Sequence, residues 1–135
     1  MTIKKYVRTI LAVTALCCLP FSAISATSVK DVWVSMPDSI APYLNQKLRL
    51  ECADLYEMGA KAEVQNLLKG TSKIDKLSAN YLQAQLSNAC QLQLCILPRT
   101  EGDSLICMIK TFAGPEKESS VQMYSMQWQL LQTMS

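Results

Sequence analysis

From Tyr81 onward the hydrophobic period of this chain is two, and that alternation constrains its fold more than any other feature. Leu82, Ala84 and Leu86 alternate with Gln83 and Gln85, and Leu92, Leu94 and Ile96 alternate with Gln91, Gln93 and Cys95. Successive side chains on a strand point to opposite faces, so each run reads as a half-buried strand with one wet face. Residues 105–112 are apolar on both faces, the pattern of a central strand or of one covered twice. Residues 121–128 supply a fourth strand. Between them, residues 113–120 hold Gly114-Pro115 and three charges and read as a loop. Short connections at Asn88 and at Glu101-Gly102-Asp103 favour an antiparallel meander.

Upstream the period is that of a helix. Asn45 can cap a helix running to about Met58 and stopped by Gly59. Leu48, Cys52, Leu55 and Tyr56 fall on one face, while Gln46, Lys47, Glu51, Asp54 and Glu57 occupy the rest. Leu55 is expected at the centre of the helix–sheet contact, opposite Leu94 and Ile96. Residues 29–34 are a short apolar stretch around Trp33. Pro37 and Pro42 break any long helix after it, leaving room for one turn capped by Asp38 or Ser39. Residues 60–68 read equally as helix or extended chain, and Gly70, Thr71, Ser72 and Lys73 read as a loop. The expected fold is therefore α+β: one main helix packed on a four-stranded antiparallel meander sheet, forming a single domain over residues 27–135. There is no internal repeat and no low-complexity segment.

Residues 1–26 read as a secretory signal rather than as part of that domain. Lys4, Lys5 and Arg8 precede an apolar run from Ile10 to Phe21, and small residues follow, with cleavage expected near Ser25 or Ala26. The run is shorter than the roughly 20 residues a permanent membrane span needs. Losing the three basic residues leaves 10 of the 13, against 11 acidic ones, so the net charge moves from +2 to −1. No Lys/Arg cluster remains to hold a polyanion, which excludes nucleic acid as a partner. The expected location is the periplasm or cell envelope.

The 135 residues include no histidine, which removes histidine-dependent triads and HExxH metal chemistry. With only 4 glycines there is no glycine-rich phosphate cradle, and no cofactor is expected. Four cysteines follow the signal: Cys52, Cys90, Cys95 and Cys107. In an exported protein they read first as disulfides, while buried free thiols are the competing reading. Their spacing lacks the close thiol pairs of a zinc site. A loop of Thr100-Glu101-Gly102, with Gly102 in the left-handed position, sets Arg99 opposite Asp103 and Cys95 opposite Cys107. Cys52 and Cys90 share the other face, so the expected pairing is Cys52–Cys90 with Cys95–Cys107. The second pair falls at a hydrogen-bonded site, where the wider spacing suits a disulfide less well.

Enzymatic alternatives are weaker. A nucleophilic Cys107 has only Lys110 nearby in sequence, three residues along a strand and on the opposite face. The carboxylate pairs Glu51/Asp54 and Glu101/Asp103 read as solvated surface. Met58, Met108, Met123, Met126 and Met134 suggest adaptable packing or a partner surface. Trp33, Tyr43, Tyr124 and Trp128 could line a groove but read more simply as packing aromatics.

Four segments in order carry a family resemblance: Met36-Pro37-Asp38-Ser39-Ile40-Ala41-Pro42-Tyr43-Leu44, then Gly59-Ala60-Lys61-Ala62-Glu63-Val64-Gln65-Asn66, then Ile106-Cys107-Met108-Ile109-Lys110-Thr111-Phe112-Ala113-Gly114-Pro115, then Met123-Tyr124 with Trp128. Together they resemble domain-of-unknown-function family 3256, small exported proteins of Bacteroides-type bacteria. The resemblance implies export and carries over no catalytic or ligand-binding residue. It also implies a further region after the tryptophan, so the chain is expected to lack a C-terminal part. The functional expectation is a non-enzymatic binding or interaction module in the envelope, with a protein or small ligand as partner. The alternative is a small cysteine- or carboxylate-dependent enzyme.

Overall fold

Ser28 opens the first helix with a capping box. Its hydroxyl accepts from the Asp31 N–H, and the Asp31 carboxylate accepts from the Ser28 N–H at 3.2 Å. Helix α1 (Val29–Ser35) follows, burying Val29, Val32 and Trp33 at i, i+3 and i+4. It ends at Met36 because a residue before proline is pushed out of the helical region, and Met36 sits at ψ 132° ahead of Pro37. The structure is a computed structural model that describes residues 27–99 and 102–134. The expected signal segment, with its cleavage near Ser25 and Ala26, lies outside the described residues.

Helix α2 (Gln46–Glu57) is capped as expected, the Asn45 side chain accepting from the Leu48 N–H at 2.9 Å. Gly59, at φ +73°, closes it with N–H donation to Tyr56 O. Its buried face differs from the expected one. Arg49, Cys52 and Ala53 are buried, whereas Leu55 is only partly so. The cause is where α2 packs: it lies against α1, β1 and β2, not over β4, so Leu55 does not meet Leu94 and Ile96 centrally.

The sheet is a single antiparallel meander of seven strands in the order β1 to β7. These are β1 (Glu63–Gln65), β2 (Thr71–Leu77), β3 (Tyr81–Ser87), β4 (Cys90–Pro98), β5 (Ser104–Phe112), β6 (Glu118–Ser125) and β7 (Leu130–Met134). The expectation of a four-stranded sheet with one main helix is thus overturned: the fold is mostly β, with two short helices. Three strands were hidden by composition. β2, which begins inside the expected loop at Thr71, buries only Ser72 and Ile74, with Leu77 partly buried, and exposes Lys73, Asp75 and Lys76. β1 has three residues, and β7 is exposed along its whole length. The expected fourth strand also stops early. Trp128 takes φ +63° in the β6–β7 turn, its N–H donating to Ser125 O at 2.9 Å.

Buried side chains from β1 to β6 form one face of this sheet, including Val64, Leu82, Ala84, Leu86, Leu92, Leu94, Ile106, Met108 and Tyr124. Both helices cover that face. Two polar residues organise it. Asn66 holds the β1–β2 turn by accepting from the Leu68 and Gly70 N–H groups while donating to Leu86 O at 3.2 Å and to Ser72. Arg49, 1% exposed, donates to the carbonyls of Trp33 at 2.9 Å, of Leu44 at 2.6 Å and of Met36, pinning residues 36–44 across the helices. Lys110 ties the same loop to the sheet through Ile40 O at 2.6 Å.

Candidate interaction surface

The second face of the sheet carries no helix among the described residues. The register aligns its side chains in rows across β3 to β7. Tyr81, Cys95, Cys107, Met123 and Gln132 form one row; Gln83, Gln93, Ile109, Val121 and Met134 form the next. Gln85, Gln91, Thr111 and Ser119 lie beyond these, with Leu97, Leu105 and Ser125 at the opposite end. No residue in these rows is charged. Glutamines occupy the β3–β4 half and apolar side chains the β5–β6 half. Charge returns on β2, where Lys73 and Lys76 continue the rows beside Gln85 and Gln83, and toward β1, where Lys61 meets Glu63 at 2.9 Å and Lys73 meets Asp75 at 3.6 Å. Residues 105–112 are therefore apolar on both faces because one face is core and the other is this uncovered surface.

The hairpin register agrees with expectation. Gly102 is at φ +87°, the Arg99 N–H donates to Asp103 O at 2.9 Å, and Cys95 lies opposite Cys107. The Ile96 N–H is spent on Asn80 O on the β3 side, so Cys95 and Cys107 form a hydrogen-bonded pair with β5, the wider kind. All four cysteines are free thiols. Cys52 and Cys90 do not meet: Cys52 donates to Ala62 O at 3.2 Å beside β1, whereas Cys90 opens β4. Burial pushes the Cys52 thiol up to about 11 and raises Cys90 and Cys107 as well, with Lys110 opposing at Cys90 and Cys95 adding at Cys107. Raised thiols are poor nucleophiles at neutral pH. Lys110 faces away from Cys107, as its spacing implies; the cysteine it influences is Cys90, a proximity that only the β4–β5 register reveals.

The remaining candidates are dispersed. Asp54 pairs with Lys30 at 2.9 Å, and Glu57 joins it at 3.0 Å, tying α2 to α1 and separating Asp54 from any partnership with Glu51. Asp103 pairs with Arg99, whose guanidinium lowers its pKa, and Glu101 lies outside the described residues. The aromatic groove does not assemble. Trp33 is fully buried and donates to Arg49 O at 2.9 Å, while Tyr124 and Trp128 pack on each other at 5.1 Å. The expected methionines divide: Met108 is core, whereas Met123 and Met134 lie on the uncovered face. Among the described residues no cluster of three or more Cys, Asp or Glu could hold a metal ion, and no helix is long and apolar enough to cross a membrane.

These features define a two-layer protein: a seven-stranded antiparallel meander with two short helices on one face and, on the other, rows that are free of charge from β3 to β7. The chain belongs to the family described as Protein of unknown function (DUF3256), which it matches over residues 21–135. It is similar to a solved domain of an uncharacterized protein from Porphyromonas gingivalis W83, with a TM-score of 0.65 and 24% identity. That likeness covers 79% of this chain and 55% of the other, and it supports the fold alone. No curated protein matches.

Proposed function

We propose that this protein is a non-enzymatic interaction module of the periplasm or cell envelope, binding through the uncovered face of its sheet. The observation that carries the reading is the charge-free surface spanning five strands, with Leu105, Ile109, Val121 and Met123 at its apolar centre. Antiparallel sheets with one wet face ordinarily place polar and charged residues on it, and contiguous apolar surface marks contact sites. Export rests on the basic and apolar pattern of residues 1–26. The raised thiols run against the cysteine-dependent alternative. The test is affinity capture from envelope extract with the protein and its Ile109→Asp variant as paired baits. A partner retained by the first and lost by the second is expected. Identical recoveries from both would refute this use of the face.

A further inference from the structure

We infer that Cys95, Cys107 and Met123 form a binding site for a soft monovalent metal ion, Cu(I) being the species their sulfur atoms select. The inference stands apart from the interaction reading, since the site needs no partner.

The register sets three sulfur-bearing side chains side by side on the uncovered face. Cys95 lies opposite Cys107, and Cys107 lies opposite Met123 on the next strand. All three are partly buried, and Cys95 is near enough for its charge to be felt at the Cys107 thiol. Spacing decides what the two thiols can share. At a hydrogen-bonded pair the Cβ atoms stand about 5.5 Å apart, whereas a disulfide draws them to about 3.5–4.5 Å. A metal ion about 2.3 Å from each of two sulfurs holds them about 4.0–4.6 Å apart, from trigonal to linear geometry. The wide pair therefore suits a bridging ion better than a covalent bond. Hydrogen-bonded and open sites alternate across a strand, so Cys107 meets Met123 at an open site, where Cα atoms approach to about 4.5 Å. From there the flexible thioether can reach the ion as a third donor.

The donor set selects the metal. Hard cations take oxygen ligands, and the rows of this face from β3 to β7 contain no carboxylate. Structural zinc takes four nitrogen or sulfur ligands. The chain has no histidine, and Tyr81, beyond Cys95 in the row, spends its hydroxyl on Gln83 at 3.1 Å. Cys52, beside β1, and Cys90, which opens β4 on the core side, do not join the row. Two thiols and a thioether suffice for Cu(I), which soft sulfur ligands favour. On binding, each ligating thiol gives its proton to solvent and its sulfur lone pair to copper. The ion enters and stays as Cu(I), so no electron is transferred.

The purified protein, reduced and kept anaerobic, is titrated with Cu(I) held by the chromophoric chelator bicinchoninate. It is expected to take one ion per chain from the chelator. Cys95→Ser and Cys107→Ser should each abolish this uptake. Met123→Leu should weaken it about tenfold, and Met108→Leu, one residue along β5 but in the core, should leave it unchanged. In the unaltered protein, Cu(I) should protect Cys95 and Cys107 together from alkylation, a readout that needs no variant. No uptake would overturn the inference, as would uptake that survives both serine substitutions or is untouched by Met123→Leu. Zn(II) held as tightly as Cu(I), or a Cys95–Cys107 disulfide in protein isolated from cells without reductant, would also overturn it. No partner enters this assay, so its failure leaves the interaction reading standing.

Discussion

Arg49 is the residue whose removal should cost this fold most for its size. It enters the core from α2 with 1% of its surface exposed, and burial lowers its pKa from the ordinary value while Asp38 opposes the shift. Its donors reach Trp33 O, Leu44 O and Met36 O, and one nitrogen lies 3.0 Å from the Asp38 carboxylate. Asp38 is 61% exposed, so its ion pair is screened and contributes about 1 kcal/mol or less. The carbonyls are the larger matter. Arg49→Ala strands three buried backbone acceptors, and a fourth, the part-buried Val34 O at 3.4 Å; each buried one costs about 1–3 kcal/mol when left unpaired, though relaxation and water entry keep the total below their sum. A loss of about 3–5 kcal/mol is expected, comparable to breaking other buried charge networks. Such a loss is a large part of the roughly 5–15 kcal/mol a single domain holds.

Urea unfolding measures this directly. With a slope of about 2 kcal/mol/M, the midpoint should fall by about 2 M at unchanged slope. Arg49→Lys should recover little, because one ammonium cannot span carbonyls from the end of α1 and both ends of the following loop as the guanidinium fork does. Asp38→Ala should move the midpoint by about 0.5 M or less on the same scale. If Asp38→Ala cost as much as Arg49→Ala, the ion pair and not the carbonyl set would be holding the loop. If Arg49→Ala cost under about 1 kcal/mol, water would be satisfying the carbonyls and the guanidinium would not be what holds the loop.

Two further outcomes follow from the core. Leu94→Ala, at a fully buried position, should cost about 2–5 kcal/mol, whereas Leu55→Ala should cost distinctly less because α2 rests on β1 and β2; equal shifts in unfolding midpoint would restore the centrally placed helix. Stability should also fall at alkaline pH through Cys52, whose thiol is raised from 9.0 to about 11. The unfolded thiol loses its proton above pH 9 while the folded one keeps it, so this contribution is complete below pH 9 and is lost between pH 9 and about 11, about 2–3 kcal/mol in all. Cys52→Ala should remove that part of the slope from a stability-against-pH series, and an unchanged slope would refute it. Lys30, raised by Asp54 and Glu57, loses its attraction to them only above its ordinary value of 10.5, so Lys30→Met separates the two effects.

The strands legible in the sequence are those that send a full row of apolar side chains into the core. β3 and β4 alternate cleanly because each is buried on one face and carries glutamines on the other, and β5 shows as a continuous apolar run. From β4 and the Gly102 turn alone, the register down to Cys95 and Cys107 can be counted. β2 escaped because an outer strand may carry Lys73, Asp75 and Lys76 and still be held by its register with β3. Asn66 and Arg49 escaped for a related reason. Composition assigns such side chains to the surface, yet here they satisfy backbone groups where the chain reverses or crosses, a role no periodicity records.

The candidate surface was half legible for the same physical cause. That residues 105–112 are apolar on both faces is visible in one strand; which face is covered depends on where the helices settle. The helices settle by way of Trp33 and Arg49, which lock α1 to α2 through reciprocal bonds, Trp33 Nε1 to Arg49 O and Arg49 Nε to Trp33 O, each at 2.9 Å. Two helices joined in this way act as one cover and lie together on one side of the sheet, α1 over β3 and β4 and α2 over β1 and β2. Neither can be released to shield Ile109 or Val121 without breaking buried hydrogen bonds. The buried pair that closes the core therefore also decides which face of the sheet the two helices cover, and leaves the charge-free rows of β3 to β7 on the other.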